Sequence, residues 1–147
     1  MSIQAQIISL LKKLTKEHGA AVMLITHDMG VIAEACDRVA VMYAGRVVEI
    51  GPVADVIHRP AHPYTAGLMG AIPSMVHDRE RLMQIDGAMP RLNAIPPGCA
   101  FNPRCPQALP RCTQDRPELM AAGNSRAACW LLAETRSPGS TCQEVSA

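Results

Sequence analysis

An apolar run of six residues, AAVMLI at positions 20–25, constrains the fold of this chain more than any other feature. It has the length and character of a strand that is buried on both faces, and such strands occur in parallel sheets covered by helices. A strand of this kind needs neighbouring strands, because its backbone N–H and C=O groups must be paired. The sequence therefore predicts an α/β fold in which residues 20–25 form a strand inside a larger sheet.

A polar trio, Thr26-His27-Asp28, follows the predicted strand and precedes a stretch with helical spacing. Ligands of open α/β sheets bind at the carboxyl ends of the strands, so His27 is a candidate site residue. A plainer interpretation is also open: His27 is a partly exposed loop residue, and Asp28 caps the next helix. Residue type alone favours the plainer interpretation, because short motifs often match by chance. The other histidines show no ligand spacing and are interpreted as surface or capping residues: His18, His58, His62 and His77.

Local patterns predict further helices and a hairpin around this strand. The predicted elements are a helix from Ile3 that stops at Gly19, a helix over 29–36, a hairpin of strands 38–43 and 46–50, and short helices over 53–58 and 64–72. Glycine is placed to end the first helix, and Ala44-Gly45 suits a tight hairpin turn. Residues 1–52 therefore look like the back half of an α/β domain, and residues 53–86 look like a helical connector.

The second half of the chain has a different composition. Only Cys36 lies in residues 1–86, whereas a cysteine-rich segment at 87–136 holds seven prolines and four cysteines: Cys99, Cys105, Cys112 and Cys129. Their spacing, C-x5-C-x6-C-x16-C, contains none of the close pairs that are typical of structural zinc sites. Disulfides are one interpretation, and a shared metal centre is favoured where thiols are kept reduced. We therefore predict a four-cysteine metal- or cluster-binding extension over 87–136 and a disordered tail at 137–147.

Bulk properties argue against two classes of partner. The net charge of +1 gives no electrostatic attraction for nucleic acid, and an aromatic content of 3% leaves few side chains on which bases could stack. No apolar run reaches the length of a membrane span, and no signal peptide opens the chain. We therefore expect a cytoplasmic protein with no nucleic-acid partner, which can still dock on a membrane protein.

Three stretches together resemble a known family: SIQAQIISLLKKL, VMLITHDMGVIAEACDRVAVMYAGRVVEIGP and HRPAHPYTAGLMGAIP. They are similar to the C-terminal part of the ATP-binding subunits of ABC transporters, in particular those that import oligopeptides, dipeptides or nickel. The resemblance implies the C-terminal portion of a P-loop ABC ATPase domain with an incomplete sheet, followed by a small irregular Cys-rich extension. It also implies a peripheral position on the inner face of the cell membrane, with transmembrane permease subunits and a second ATPase subunit as partners.

The resemblance also assigns roles to individual residues. His27 matches the switch histidine, which contacts the γ-phosphate of ATP, bound with Mg²⁺, and helps to organise the attacking water. The four cysteines match a pattern in the family's C-terminal extension that is associated with an iron–sulfur cluster. A [4Fe–4S] cluster is therefore expected at Cys99, Cys105, Cys112 and Cys129, with Zn²⁺ as the alternative.

Several motifs of the family do not occur in the sequence: the GxxxxGK[ST] phosphate-binding loop, the Q-loop, the LSGGQ-like signature and the Walker B acidic pair. We therefore expect a truncated ATP-binding subunit (a gene fragment, a truncated gene or a start codon assigned too late) that alone neither binds ATP tightly nor hydrolyses it. The alternative is a free-standing iron–sulfur or zinc-binding module with a redox or regulatory role, built on residues 87–130. A zinc-dependent nucleic-acid-binding module is disfavoured by the neutral charge.

Overall fold

The computed structural model describes residues 3–72, 84–91 and 93–134. Their elements, in chain order, are α1 (Ile3–His18), α2 (Met29–Ala35), β1 (Arg38–Tyr43), β2 (Arg46–Pro52), α3 (Val53–His58), α4 (Pro63–Gly70), β3 (Met120–Ala122), β4 (Ser125–Ala127) and α5 (Leu131–Glu134). Two 3₁₀ turns, Asn102–Arg104 and Pro110–Thr113, lie in the cysteine-rich segment. The tail predicted at 137–147 and part of the predicted connector, residues 73–83, lie outside the described residues.

Helices α1 and α2 form where the sequence predicts them. Gly19 follows α1 with a φ of +61°, a left-handed conformation that glycine adopts without strain. Asp28 caps α2, because its carboxylate accepts from the N–H groups of Gly30 at 2.9 Å and Val31 at 3.2 Å. The capping role predicted for Asp28 is therefore confirmed.

The strand predicted at residues 20–25 is not formed. Residues 20–26 have no regular secondary structure, and the side chains of Met23 and Ile25 are 89% and 90% exposed. A strand needs a neighbour for its backbone hydrogen bonds, and the strands of the described sheet pair only with one another. The prediction of a buried strand is therefore wrong for the described residues, and an apolar run lies at the surface instead.

The sheet is antiparallel, with strand order β1–β2–β4–β3. Ala44 and Gly45 form the turn between β1 and β2 with φ angles of +48° and +78°, as a tight two-residue hairpin turn requires. Strand β4 pairs with β2, and Glu49 lies opposite Ala127. The cysteine-rich segment therefore adds two strands to the predicted hairpin and is more regular than expected. Its strands are three residues long, too short to give an alternating pattern in the sequence.

One hydrophobic core joins the hairpin, the short helices and the cysteine-rich segment. At its centre the ring of Tyr43 lies 4.7 Å from that of Tyr64 and 5.3 Å from that of Phe101, centroid to centroid. Arg104 ties the same region together, since its guanidinium donates to the Tyr43 hydroxyl at 3.3 Å and to the Ile85 carbonyl at 3.0 Å. The cysteine-rich segment is thus packed on the hairpin through buried side chains.

Helix α1 carries an exposed apolar face. Ile7, Leu10 and Leu14 are exposed, and so are the apolar residues 22–25. Exposed apolar side chains grouped on one helix face mark a contact site more often than a solvated face. Among the helices of the described residues, none has both the length and the hydropathy of a membrane-spanning segment.

Candidate functional site

His27 lies on the connection between α1 and α2, directly before the N-cap of α2. Its side chain is exposed. The two residues that flank His27 are joined by a hydrogen bond, in which the Asp28 N–H donates to Thr26 Oγ1 at 3.0 Å, and this bond fixes the turn. The exposed imidazole of His27 can donate to or accept from a ligand. The four predicted cysteines lie elsewhere in the chain, so the structure holds two separate candidate sites.

The four cysteines come together around one cavity. Cys99, Cys105, Cys112 and Cys129 all line it, together with His62, Phe101 and Trp130. All four are free thiols, as is Cys36, so the disulfide interpretation is wrong for the described cysteines. The structure therefore brings together the four cysteines that the sequence predicts to form one group.

Backbone hydrogen bonds position these cysteines. The N–H of Cys99 donates to the carbonyl of Cys112 at 2.9 Å, and the side chain of Asn102 donates to the carbonyl of Cys99 at 2.7 Å. Cys112 belongs to the 3₁₀ turn Pro110–Thr113, and Cys129 follows the end of β4. The turns and the sheet thus bring sulfurs that are distant in sequence to one place.

Each of the four sulfurs has a backbone hydrogen bond. These bonds run from Phe101 to Cys99, from Gln107 to Cys105, from Leu109 to Cys112 and from Leu131 to Cys129. A backbone N–H aimed at a sulfur favours the thiolate over the thiol. Hydrogen bonds to the sulfurs are also one of the means by which proteins tune iron–sulfur clusters.

Burial acts against ionisation of the same thiols. Desolvation raises the pKa of Cys99 and Cys105, and that of Cys129 to about 11, and repulsion between neighbouring thiolates adds to each shift. The three thiols are therefore protonated at neutral pH. A bound cation reverses this preference, because its charge stabilises the thiolate and metal binding releases the protons. The cavity suits protonated thiols or metal-bound thiolates, but not free thiolates.

The four cysteines do not form a metal site as they stand. Within residues 3–72, 84–91 and 93–134, no three or more His, Cys, Asp or Glu side chains form a group that could hold a metal ion as it stands. Around one tetrahedral zinc ion, with Zn–S bonds of about 2.3 Å, the sulfurs would lie about 3.8 Å from one another. A single ion would therefore require the loops to close further.

Gly98 allows the loop that carries Cys99 to approach the turn that carries Cys112. Its φ is +71°, and a Cβ atom at this position would lie 2.4 Å from the carbonyl oxygen of Cys112. Gly98→Ala is expected to lower the free energy of unfolding by about 3 kcal/mol, because it adds a backbone clash to backbone strain. Urea unfolding of the metal-free chain measures the loss.

Gly123→Ala is the matched control for this substitution. Its φ is +61°, and nothing lies within 4 Å of its Cβ position, so the variant adds strain without a clash. We expect a loss of about 1 kcal/mol. Equal losses in the two variants would contradict the close approach of Gly98 to Cys112.

A buried histidine and glutamate near the cavity were not predicted from the sequence. Nδ1 of His62 accepts from the Tyr64 N–H at 3.0 Å, which confirms a capping role, but the side chain is only 2% exposed. The carboxylate of Glu49, 0% exposed, accepts from the N–H groups of Ala61 at 2.8 Å and His62 at 3.0 Å. Pro63 was the available signal for the cap, since proline favours the first helical position. No residue pattern in the sequence around His62 or Glu49 indicates that the two side chains are buried.

Burial also sets the charge state of His62. Desolvation lowers its pKa to about 4, against the raising effect of a hydrogen bond with the Ala128 backbone. The unfolded chain binds the same proton at a pKa of about 6.5, so the folded state loses stability as the pH falls from about 6.5 to about 4. We expect His62 to contribute a loss of about 3 kcal/mol over this range.

Urea unfolding of the metal-free chain at pH 7 and pH 4 measures this loss. Other groups titrate in the same range, so the wild type is compared with His62→Gln, which has no titrating side chain at this position. The variant should lose less stability between the two pH values. An equal loss in both proteins would contradict the assignment to His62.

Comparison with known proteins relates the chain to peptide transport. Residues 48–112 match the family described as "Oligopeptide/dipeptide transporter, C-terminal region". This match runs from β2 through α3 and α4 to Cys112, and so includes three of the four cavity cysteines.

Relatives of two kinds, from oligopeptide and from dipeptide transport, match over most of the chain. The oligopeptide transport ATP-binding protein AppD of Bacillus subtilis is 43% identical over 135 residues, which cover 91% of this chain and 41% of AppD. The oligopeptide transport ATP-binding protein OppD of Salmonella typhimurium is 44% identical over 128 residues, 86% of this chain and 38% of OppD. The dipeptide transport ATP-binding protein DppD of Escherichia coli is 45% identical over 126 residues, 86% of this chain and 38% of DppD.

These matches extend through the α/β part and the cysteine-rich segment alike, so they give no support to a free-standing metal-binding module. The chain spans about two fifths of the length of the curated relatives that it matches. The chain is therefore similar to oligopeptide and dipeptide transport ATP-binding proteins, and residues 48–112 match the C-terminal region of that transporter family.

Proposed function

We propose that this chain is the C-terminal part of the ATP-binding, energy-coupling subunit of an ABC importer for short peptides. The observation that carries the proposal is an identity of 43–45% over 86–91% of the chain to ATP-binding proteins of oligopeptide and dipeptide transport. The two kinds of relative match almost equally well, so the proposal names short peptides as a class. ATP and Mg²⁺ belong to the complete subunit, because the sequence lacks the Gly-rich loop and the acidic pair that would hold them.

In the complete subunit, His27 is proposed to contact the γ-phosphate of ATP. The support is its position: an exposed imidazole, placed before a capped helix by the hydrogen bonds of Asp28. Phosphoryl transfer depends mainly on positioned donors that stabilise charge in the transition state. A histidine at this position can act as such a donor or can orient the attacking water.

The proposed partners are the rest of the ATP-binding subunit, a second ATPase subunit and transmembrane permease subunits, on the inner face of the cell membrane. The exposed apolar face of α1 and the exposed run at 22–25 support an assembled state, because such surface is unfavourable in water. A neighbouring strand from the rest of the subunit would supply the hydrogen bonds that residues 20–25 do not find in the described sheet.

A fusion subunit tests the proposal. In this protein the present chain replaces the region of Bacillus subtilis AppD that it matches. Produced in a B. subtilis strain that lacks AppD, the fusion subunit is expected to restore uptake of short peptides. Intact AppD is the positive control, and AppD without the matched region is the negative control. A fusion subunit that accumulates as a folded protein but restores no uptake would contradict the proposal.

The second part of the proposal is that Cys99, Cys105, Cys112 and Cys129 hold one metal centre, a [4Fe–4S] cluster rather than zinc. The donor set fits such a centre, because four thiols line one cavity and each sulfur accepts a backbone hydrogen bond. Clusters are commonly held by four thiolates. The spacing of the cysteines contains none of the close pairs that are typical of structural zinc sites, and this favours a cluster over zinc.

A bound cluster would supply cross-links and the capacity for one-electron transfer. The chain's own residues would close the loops around it: the turn of Cys112, the loop of Cys99 and the segment after β4 would be fixed together. Binding free energy of this kind becomes folding free energy, because the unfolded chain has no preformed site. We therefore propose that the centre stabilises the cysteine-rich segment against the hairpin.

A further inference from the structure

We propose that His62 is a positioning residue for the proposed metal centre, which it serves through a hydrogen bond to the backbone next to Cys129 rather than as a ligand. The inference rests on the proposed metal centre and adds to it a residue that lies outside the four cysteines. Its basis is the place of His62 between the sheet, the first turn of α4 and the cavity.

Both ring nitrogens of His62 are already in use. Nδ1 accepts from the N–H of Tyr64 at 3.0 Å, so the proton of the neutral ring lies on Nε2. The ring also makes a hydrogen bond with the backbone of Ala128, and Nε2 is the nitrogen that remains to donate it. A metal bond to either nitrogen would break one of these contacts. The geometry therefore argues against His62 as a ligand, although it lines the same cavity as the thiols.

The contact with Ala128 bears directly on Cys129, the next residue. The N–H of Ala128 donates to the carbonyl of Val48 at 2.8 Å, and the carbonyl of Ala128, which belongs to the peptide bond to Cys129, accepts from His62. Ala128 is therefore held by β2 through its N–H and by His62 through its carbonyl. Removing the His62 contact would leave the carbonyl of Ala128 without this partner and would loosen the segment that carries the Cys129 sulfur.

Glu49 fixes His62 in turn. Its carboxylate accepts from the N–H groups of Ala61 and His62, and it is fully buried in β2, opposite Ala127 of β4. A continuous set of hydrogen bonds thus runs from β2 through His62 to the residue before Cys129. Partners of this kind orient metal ligands, and their loss typically lowers metal affinity by about 10- to 100-fold.

Two substitutions separate the two nitrogens of His62. In His62→Asn the side-chain oxygen can replace Nδ1 as the cap of α4, but the shorter side chain does not reach Ala128. In His62→Gln the amide nitrogen lies near the place of Nε2 and can donate to Ala128, but the cap is lost. His58→Asn, at an exposed histidine of α3, is the matched control.

Two readouts are measured in the 147-residue chain. The first is metal retention after reconstitution with iron and sulfide or with zinc, challenged with a chelator. His62→Asn is expected to bind about 10- to 100-fold more weakly than the wild type, whereas His62→Gln and His58→Asn should stay within about threefold. The second is alkylation of the metal-free chain by iodoacetamide, in which Cys129 should react several times faster in His62→Asn while Cys36 is unchanged.

The outcomes are distinguishable. Wild-type retention and wild-type Cys129 alkylation in His62→Asn would overturn the inference. So would equal losses in the Asn and Gln variants, since these would indicate a role in stability alone. If the wild type takes up neither iron nor zinc, the proposed metal centre is wrong. The alkylation rates of Cys129 then still decide whether His62 positions that residue.

Discussion

His27→Ala in the fusion subunit is expected to reduce the rate of ATP hydrolysis about 100-fold or more, while the affinity for ATP changes little. The reason is that a contact with the γ-phosphate matters most in the transition state, where charge on the transferred group is redistributed. A group that acts mainly in the transition state contributes to kcat and not to ground-state binding. Steady-state turnover and equilibrium binding of ATP, measured on the same preparation, separate the two effects.

His58→Ala is the control for this variant, because His58 is an exposed histidine in α3 with no proposed contact to ATP. It should leave both turnover and binding unchanged. If ATP binding and turnover both fall in His27→Ala, the substitution has a structural effect. If turnover is unchanged, His27 has no role in ATP hydrolysis.

The second large effect is expected at the cysteines. Purified without oxygen, the wild-type chain should be brown, with visible charge-transfer absorption and about four irons per chain. Cys105→Ser should lose the colour and most of the iron, because the cluster would lack one of four thiolate ligands. Cys36→Ser is the matched control, since Cys36 is a half-buried free thiol at the end of α2 that does not line the cavity.

The alternative results have distinct meanings for this site. A colourless wild-type chain with one zinc ion would keep the four-cysteine site but overturn the cluster. Four thiols that titrate as free in the purified wild type, with no metal present, would overturn the metal centre altogether.

The sequence was sufficient to predict those features of the fold that depend on residues close to one another in the chain. Gly19 ends α1, Asp28 caps α2, and Ala44-Gly45 makes the hairpin turn, each through contacts within a few residues. Such contacts have definite residue preferences, so their positions could be predicted. The grouping of the four cysteines could also be predicted, because cysteines concentrated in one segment are expected either to form disulfides or to share a metal centre.

The sequence was insufficient to predict strand pairing and burial, because these depend on residues that are far apart in the chain. The run at 20–25 has the pattern of a buried strand, but pattern carries no information about whether another strand lies beside it, and Met23 is exposed. The pairing of β4 with β2 joins segments that are far apart in the chain, through strands too short to detect. The burial of His62 and Glu49 follows from this pairing and from the loop before α4, so neither could be seen locally.

We propose that this chain supplies His27 and the C-terminal region to an ATP-binding subunit. ATP hydrolysis by the purified fusion subunit, compared with hydrolysis by the 147-residue chain alone, tests this proposal. We expect measurable turnover by the fusion subunit, and neither turnover nor saturable binding at micromolar ATP by the chain alone. A folded fusion subunit that binds ATP without hydrolysing it, or an isolated chain that hydrolyses ATP, would overturn the proposal.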